Sequence, residues 1–112
     1  MDICAKLQVK AVIVKDNQVI AEGTNSPIDP CDGNCEVNKA CIKTIHAENQ
    51  ALMLCARKGV STDGAECWVT HLPCPDCTKN LNQAGIKRIY YMNEYPHRYE
   101  NNFSDGMELM KI

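Results

Sequence analysis

ECWVTHLPCPDCTKNLNQAGIKRIYY, residues 66–91, is the stretch on which the fold turns. Its two ends are short and rich in aromatic and β-branched residues, so Glu66 to Thr70 and Lys87 to Tyr91 each read as a strand. Between them Cys74, Cys77, Thr78 and Leu81 recur at helical spacing, and Gly85 stands where that helix must stop. Strand, helix, strand in this order is a crossover unit, and a crossover makes its two strands parallel.

The pattern extends toward the N-terminus. In HAENQALMLCARKG, residues 46–59, apolar side chains fall at 47, 51, 54 and 55, Arg57 and Lys58 occupy the last turn, and Gly59 is placed to cap it. Further back, Val9 to Val14 and Val19 to Ala21 read as antiparallel strands joined at Asp16-Asn17. Residues 24–44 carry prolines, a glycine and several Asn and Asp, which predicts an irregular loop. The order ββαβαβ predicts an α/β fold of three layers, α/β/α. Its mixed sheet has an antiparallel first hairpin and parallel later strands.

At 112 residues the chain reads as a single domain, 1–112, with the 45% hydrophobic and 23% charged composition of an ordinary globular protein. No apolar run approaches the length that spans a bilayer, so no membrane partner is expected. The net charge of −2 offers no excess of Lys and Arg for a phosphate backbone, and long nucleic acid is not an expected partner. The start, MDICAKLQVK, lacks the apolar core of a secretory signal. The eight cysteines are therefore read as metal ligands and buried thiols in a cytoplasmic protein. Cys4, Cys55 and Cys67 fit the buried class.

Cys74 and Cys77 are spaced to put two sulfurs on one helical turn, with Pro73 and Pro75 at a helix start where a missing N–H costs little. The partial positive charge of a helix N-terminus favours the thiolate that zinc needs. A redox pair would use the same CxxC, but it would leave His46 and Glu48 without a role. On a regular helix these two would point roughly 200° apart. At the first turn, where the chain is still arriving, both can border one pocket. Two thiolates and the His46 imidazole give zinc three protein ligands and leave its fourth position for water, the arrangement of a catalytic site. Glu48 then faces that water as proton carrier. The plainer alternatives are a structural zinc and a helix-start carboxylate favoured by the dipole.

HAE followed by PCxxC is the signature of zinc-dependent nucleobase deaminases. Residues Val9 to Tyr95 resemble the cytidine and deoxycytidylate deaminase superfamily, which implies a cytidine-deaminase-like fold. Within it, CIKTIHAENQAL and VTHLPCPDCTKNLNQAGIKRIYY look most like dCMP deaminases of the ComE operon protein 2 type. The resemblance implies hydrolysis of dCMP to dUMP and ammonia by a zinc-bound hydroxide, with Glu48 shuttling the proton. It further implies that the Ala47 N–H holds the pyrimidine O2, that a carbonyl near Thr70 or His71 accepts from the amine, that Asn25 contacts the sugar and that Tyr95 contacts the nucleotide. Asn25 could equally serve only to shape its turn. The expected partner is a small-molecule nucleotide.

Family members usually have a helix before the first strand and a strand after the last helix, and this chain is expected to lack both. Sheet faces left bare favour a homo-oligomer. Cys31, Cys35 and Cys41, with His97 or a carboxylate, could gather a second, structural zinc or simply be packed or free thiols. Arg98 is a candidate for a 5′-phosphate and equally a solvated loop charge. Three rival functions stay open: a deaminase of cytidine, deoxycytidine or another free pyrimidine, a deaminase of tRNA adenosine, and a non-enzymatic zinc-binding interaction module. The tRNA reading is weakened by HLPC where such enzymes read EPC, and the module has no use for Glu48.

Overall fold

The computed structural model describes residues 8–27, 36–37, 40–41, 44–94 and 105–112. Strands β1 (Lys10–Lys15) and β2 (Gln18–Thr24) form the expected antiparallel hairpin. Asp16 and Asn17 both take positive φ, 53° and 62°, as a two-residue turn that follows the strands' twist requires. After the loop region come helix α1 (Ala47–Lys58), strand β3 (Glu66–His71), helix α2 (Pro75–Gln83) and strand β4 (Arg88–Asn93). Helix α1 ends as its sequence predicts. Gly59 is left-handed at φ 71°, its N–H donates to Ala56 O and the Val60 N–H donates to Cys55 O, the double closure of a Schellman motif.

A further strand, β5 (Glu108–Lys111), lies parallel to β4 and completes a sheet of order β2-β1-β3-β4-β5. This corrects the reading that ended the sheet at residue 91 and expected no later strand. ELMK is short and half polar, so its alternation alone does not announce a strand; the parallel ladder to β4 and the buried Met107 beside it hold it in place. Of the ladders, β1/β2 and β1/β3 are antiparallel while β3/β4 and β4/β5 are parallel, the mixed sheet that was expected.

The period of two sorts the strand residues onto two faces. Ala11, Ile13, Ala21, Cys67, Val69 and Ile89 are buried in one cluster with Ala47, Ala51, Leu52 and Cys55 of α1 and Leu81 of α2. Both helices therefore cover the same face. The other face carries Trp68, Met92 and Met110, which remain 40%, 54% and 43% exposed, and Trp68 stacks on Tyr90 with ring centroids 4.1 Å apart. Among the described residues, then, one of the two expected helical layers is present. None of their helices is long and apolar enough to cross a membrane.

The loop region is less irregular at its ends than its composition suggests. Ser26–Pro27 pairs antiparallel with Thr44–Ile45, which returns the chain to the end of β2 just before α1 begins. Glu36–Val37 pairs with Ala40–Cys41 in a small separate ribbon.

Candidate metal centre and active site

Two helix starts meet at the site. His46 is the N-cap of α1, with φ −65° and ψ 147°, so it is extended and lies outside the rows of the helix that follows. This resolves the two-residue spacing: His46 projects from the arriving chain while Glu48 projects from the first turn. The Ser26–Pro27 and Thr44–Ile45 pairing fixes that arrival. Cys74 is likewise the N-cap of α2, its sulfur accepting the Cys77 N–H at 3.4 Å, and Pro75 takes the first helical position where its missing N–H leaves nothing unpaired.

The His46 Nδ1 lies 3.2 Å from Cys77 Sγ and 3.5 Å from Cys74 Sγ, and the three donor atoms all fall within 4.8 Å of one another. Tetrahedral zinc with its usual bond lengths needs S···S and S···N separations of about 3.5–3.8 Å, so adjustments of a few tenths of an ångström in the two S···N separations would seat an ion here. Two sulfurs and an imidazole suit zinc rather than magnesium or calcium. The donor set fits the metal.

Charge distribution within the cluster is uneven. The Cys77 thiol, hydrogen-bonding to Cys74, holds the Cys74 sulfur as a thiolate with a pKa lowered to about 4. Cys77 shifts the opposite way, because it is the donor to that thiolate and is itself buried. The hydrogen bond to Cys74 raises the His46 pKa. Glu48 is only 4% exposed, and its burial pushes the carboxyl above its ordinary range, against a backbone hydrogen bond and the nearby His46 charge, which favour the charged form. A buried carboxyl that holds a proton more readily than usual, beside a potential zinc position, can accept a proton and release it again.

Ala47, fully buried, supplies an N–H at the first helical position, where no intrahelical acceptor exists. Thr70 points its hydroxyl to the sheet face opposite the two helices, where it accepts the Lys10 N–H at 3.1 Å and sits 2.9 Å from His71 Nδ1. Its carbonyl accepts Asn93 Nδ2 at 2.9 Å. Asn25 braces the strand ends: its Oδ1 accepts the Val9 N–H at 2.9 Å while its own N–H donates to Val9 O. Tyr95, His97, Arg98, Cys31 and Cys35 lie outside the described residues, as does the side chain of Cys41. A second zinc has no support: among the described residues His46, Cys74 and Cys77 are the group able to hold a metal. Cys55 and Cys67 are buried free thiols, and burial raises the pKa of both.

Gly23 escaped the sequence reading although it bears on the site. A Cβ built there would lie 2.2 Å from the Ala47 carbonyl oxygen and 2.8 Å from the Ala51 nitrogen, so the first turn of α1 rests directly on the β2 backbone. A glycine inside a strand pattern is the signal that could have found it.

Residues 2–93 match the sequence family described as the cytidine and deoxycytidylate deaminase zinc-binding region. The ComE operon protein 2 of Bacillus subtilis (strain 168) is 45% identical over 97 residues, which cover 82% of this chain and 51% of that protein. The deoxycytidylate deaminase of Enterobacteria phage T4 is 49% identical over 51 residues, 46% of this chain and 26% of the relative. The chain thus spans about half the length, or less, of these curated relatives. Among solved structures, the dCMP deaminase of cyanophage S-TIM5 in complex with dCMP and dUMP superposes with a TM-score of 0.81 at 36% identity, covering 99% of this chain and 85% of that one.

Proposed function

This chain belongs to the cytidine and deoxycytidylate deaminase family, and from that premise we propose that it is a zinc-dependent dCMP deaminase, releasing dUMP and ammonia. The observation that carries the reading is the buried Glu48 beside a cluster of three metal donors, a carboxyl that a closed structural zinc site does not need. Relatives named as deoxycytidylate deaminases and the S-TIM5 complex with dCMP and dUMP support the substrate.

His46, Cys74 and Cys77 would hold the zinc. A zinc ion with three protein ligands supplies Lewis acidity toward water at neutral pH. Glu48 takes a proton as the water oxygen bonds to C4 of the cytosine, gives it to N3, and then carries a proton to the exocyclic nitrogen as the C4–N bond breaks. One water is consumed and one ammonia leaves for each dCMP. The Ala47 N–H donates to the pyrimidine O2, and a carbonyl at the end of β3, near Thr70 or His71, accepts from the departing amine. Asn25 meets the sugar and Tyr95 the nucleotide, roles that rest on the family resemblance alone. Because the Thr70 carbonyl already accepts from Asn93, the substrate amine would share that acceptor or use a neighbouring one. The homo-oligomer expected from the sequence is part of the same proposal, supported by the exposure of Trp68, Met92 and Met110 on one sheet face.

Ammonia release by the zinc-loaded protein, measured in parallel on dCMP, deoxycytidine, cytidine and CMP, tests the reading. Preference for dCMP is the expected result. Preference for a nucleoside would move the assignment to a free-pyrimidine deaminase, and no release from any of the four by folded, zinc-bound protein would overturn it.

A further inference from the structure

Thr78 stands in the first turn of α2, directly after the ligand Cys77, and is completely buried. Its hydroxyl donates to the Cys74 carbonyl at 2.9 Å and lies 3.5 Å from the Pro73 carbonyl. The backbone N–H of Thr78 donates to the same Cys74 oxygen, also at 2.9 Å, so that one carbonyl is gripped twice. Threonine is a poorer helix former than alanine, and bonding back to the carbonyl four residues earlier slightly weakens a helix. The hydroxyl therefore adds nothing to the intrinsic helix preference of this position.

What the hydroxyl does control is the conformation of a metal ligand. Cys74 is extended, with φ −66° and ψ 164°, its ψ confined to the extended region by the ring of Pro75 that follows, and its carbonyl stands where the chain turns into α2. Gripping the Cys74 carbonyl from the hydroxyl and the N–H of Thr78 fixes the setting of Cys74 within the extended region against the first turn of α2, and with it the direction of the Cα–Cβ bond that carries Sγ toward His46 and Cys77. We propose that Thr78 is a positioning residue for the metal, its buried hydroxyl fixing the turn that sets the Cys74 sulfur against Cys77 and His46. The proposal rests on the zinc reading of the cluster.

Zinc-loaded wild type is compared with Thr78→Val, which keeps the shape and loses the hydroxyl, and with the pair Thr78→Ser and Thr78→Ala, which differ in the hydroxyl alone. Zinc transfer to excess chelator is followed well below each variant's melting temperature, and the absorption of the cobalt-substituted proteins is recorded beside it. Removing hydrogen bonds that orient metal ligands costs roughly tenfold or more in metal affinity. The Val and Ala variants should therefore release zinc about tenfold faster and show a shifted cobalt spectrum, while the Ser variant follows wild type in both. If Thr78→Val does not fold, the Ser and Ala pair decides. Equal release by Ser and Ala would overturn the positioning role even if both melt early. A wild-type chain that binds no zinc would instead overturn the metal reading, and the proposal with it.

Discussion

Glu48 is a residue whose surroundings say more than its position. A carboxylate in the first turn of a helix is unremarkable, because the dipole favours it there. One that is 4% exposed beside the cluster of His46, Cys74 and Cys77 is not, since burial works against its charge. Glu48→Gln keeps size and shape while removing the ability to carry a proton. The variant should retain stoichiometric zinc, measured by elemental analysis, and lose about 10²–10⁴-fold in kcat. Turnover near the wild-type rate would remove Glu48 from the proton path. At this scale the sequence was informative about placement: the HxE and CxxC spacings at two helix starts pointed to His46, Cys74 and Cys77 as one group, which the structure brings together, with Glu48 buried in the first turn of α1. Asn25 and Thr70 were less legible, because amides and hydroxyls serve strand ends as readily as ligands, and both make such local bonds here.

The elements bring those residues together by where they begin. Helix α1 can start close to the sheet because Gly23 lets its Ala47 carbonyl and Ala51 nitrogen sit against β2, and Gln50 Oε1 accepts the neighbouring Thr24 N–H at 2.8 Å. A methyl group at 23 would meet backbone, not a side chain that can swing away, so helix and strand must part by roughly 1 Å, an overpacking that costs about 1–3 kcal/mol. Because Ala47 and Glu48 ride on that turn, Gly23→Ala should lower the melting temperature and also lower kcat/KM by about 10²-fold in the fraction that remains folded. A variant that melts early but turns over normally per folded molecule would show that the close approach serves stability alone. Element ends governed by local rules were readable in advance, as with Asp16-Asn17 and Gly59. Elements that exist through partners were not: β5 depends on its ladder to β4, and the pairing of Ser26–Pro27 with Thr44–Ile45 joins residues far apart in the chain.

Across the whole molecule the donor atoms come from separate parts of the chain, His46 ahead of α1 and the two cysteines at the start of α2, with β3 running between the two helices in sequence. The unfolded chain cannot hold these donors together, so zinc bound by all three favours the folded state by mass action. Beyond the ligands, the two helices are joined by a side-chain bond from Asn80 Nδ2 to Asn49 Oδ1 at 3.0 Å and by the shared core under them. The face of the sheet away from them, with Trp68, Met92 and Met110 exposed, adds little burial of its own. Metal should therefore be a large part of the stability of this domain. Free zinc at 1,000 times its dissociation constant contributes about 4.1 kcal/mol, and for a domain of this size each kcal/mol moves the midpoint by about 4 °C or more. Calorimetry of chelator-treated and zinc-loaded protein should show the loaded form melting at least about 15 °C higher, with the shift growing as free zinc is raised. The same midpoint in both samples would mean that the three donors do not act on one ion in the folded state. Cys77→Ser should shrink the shift, because it removes a sulfur donor and leaves the helix caps in place.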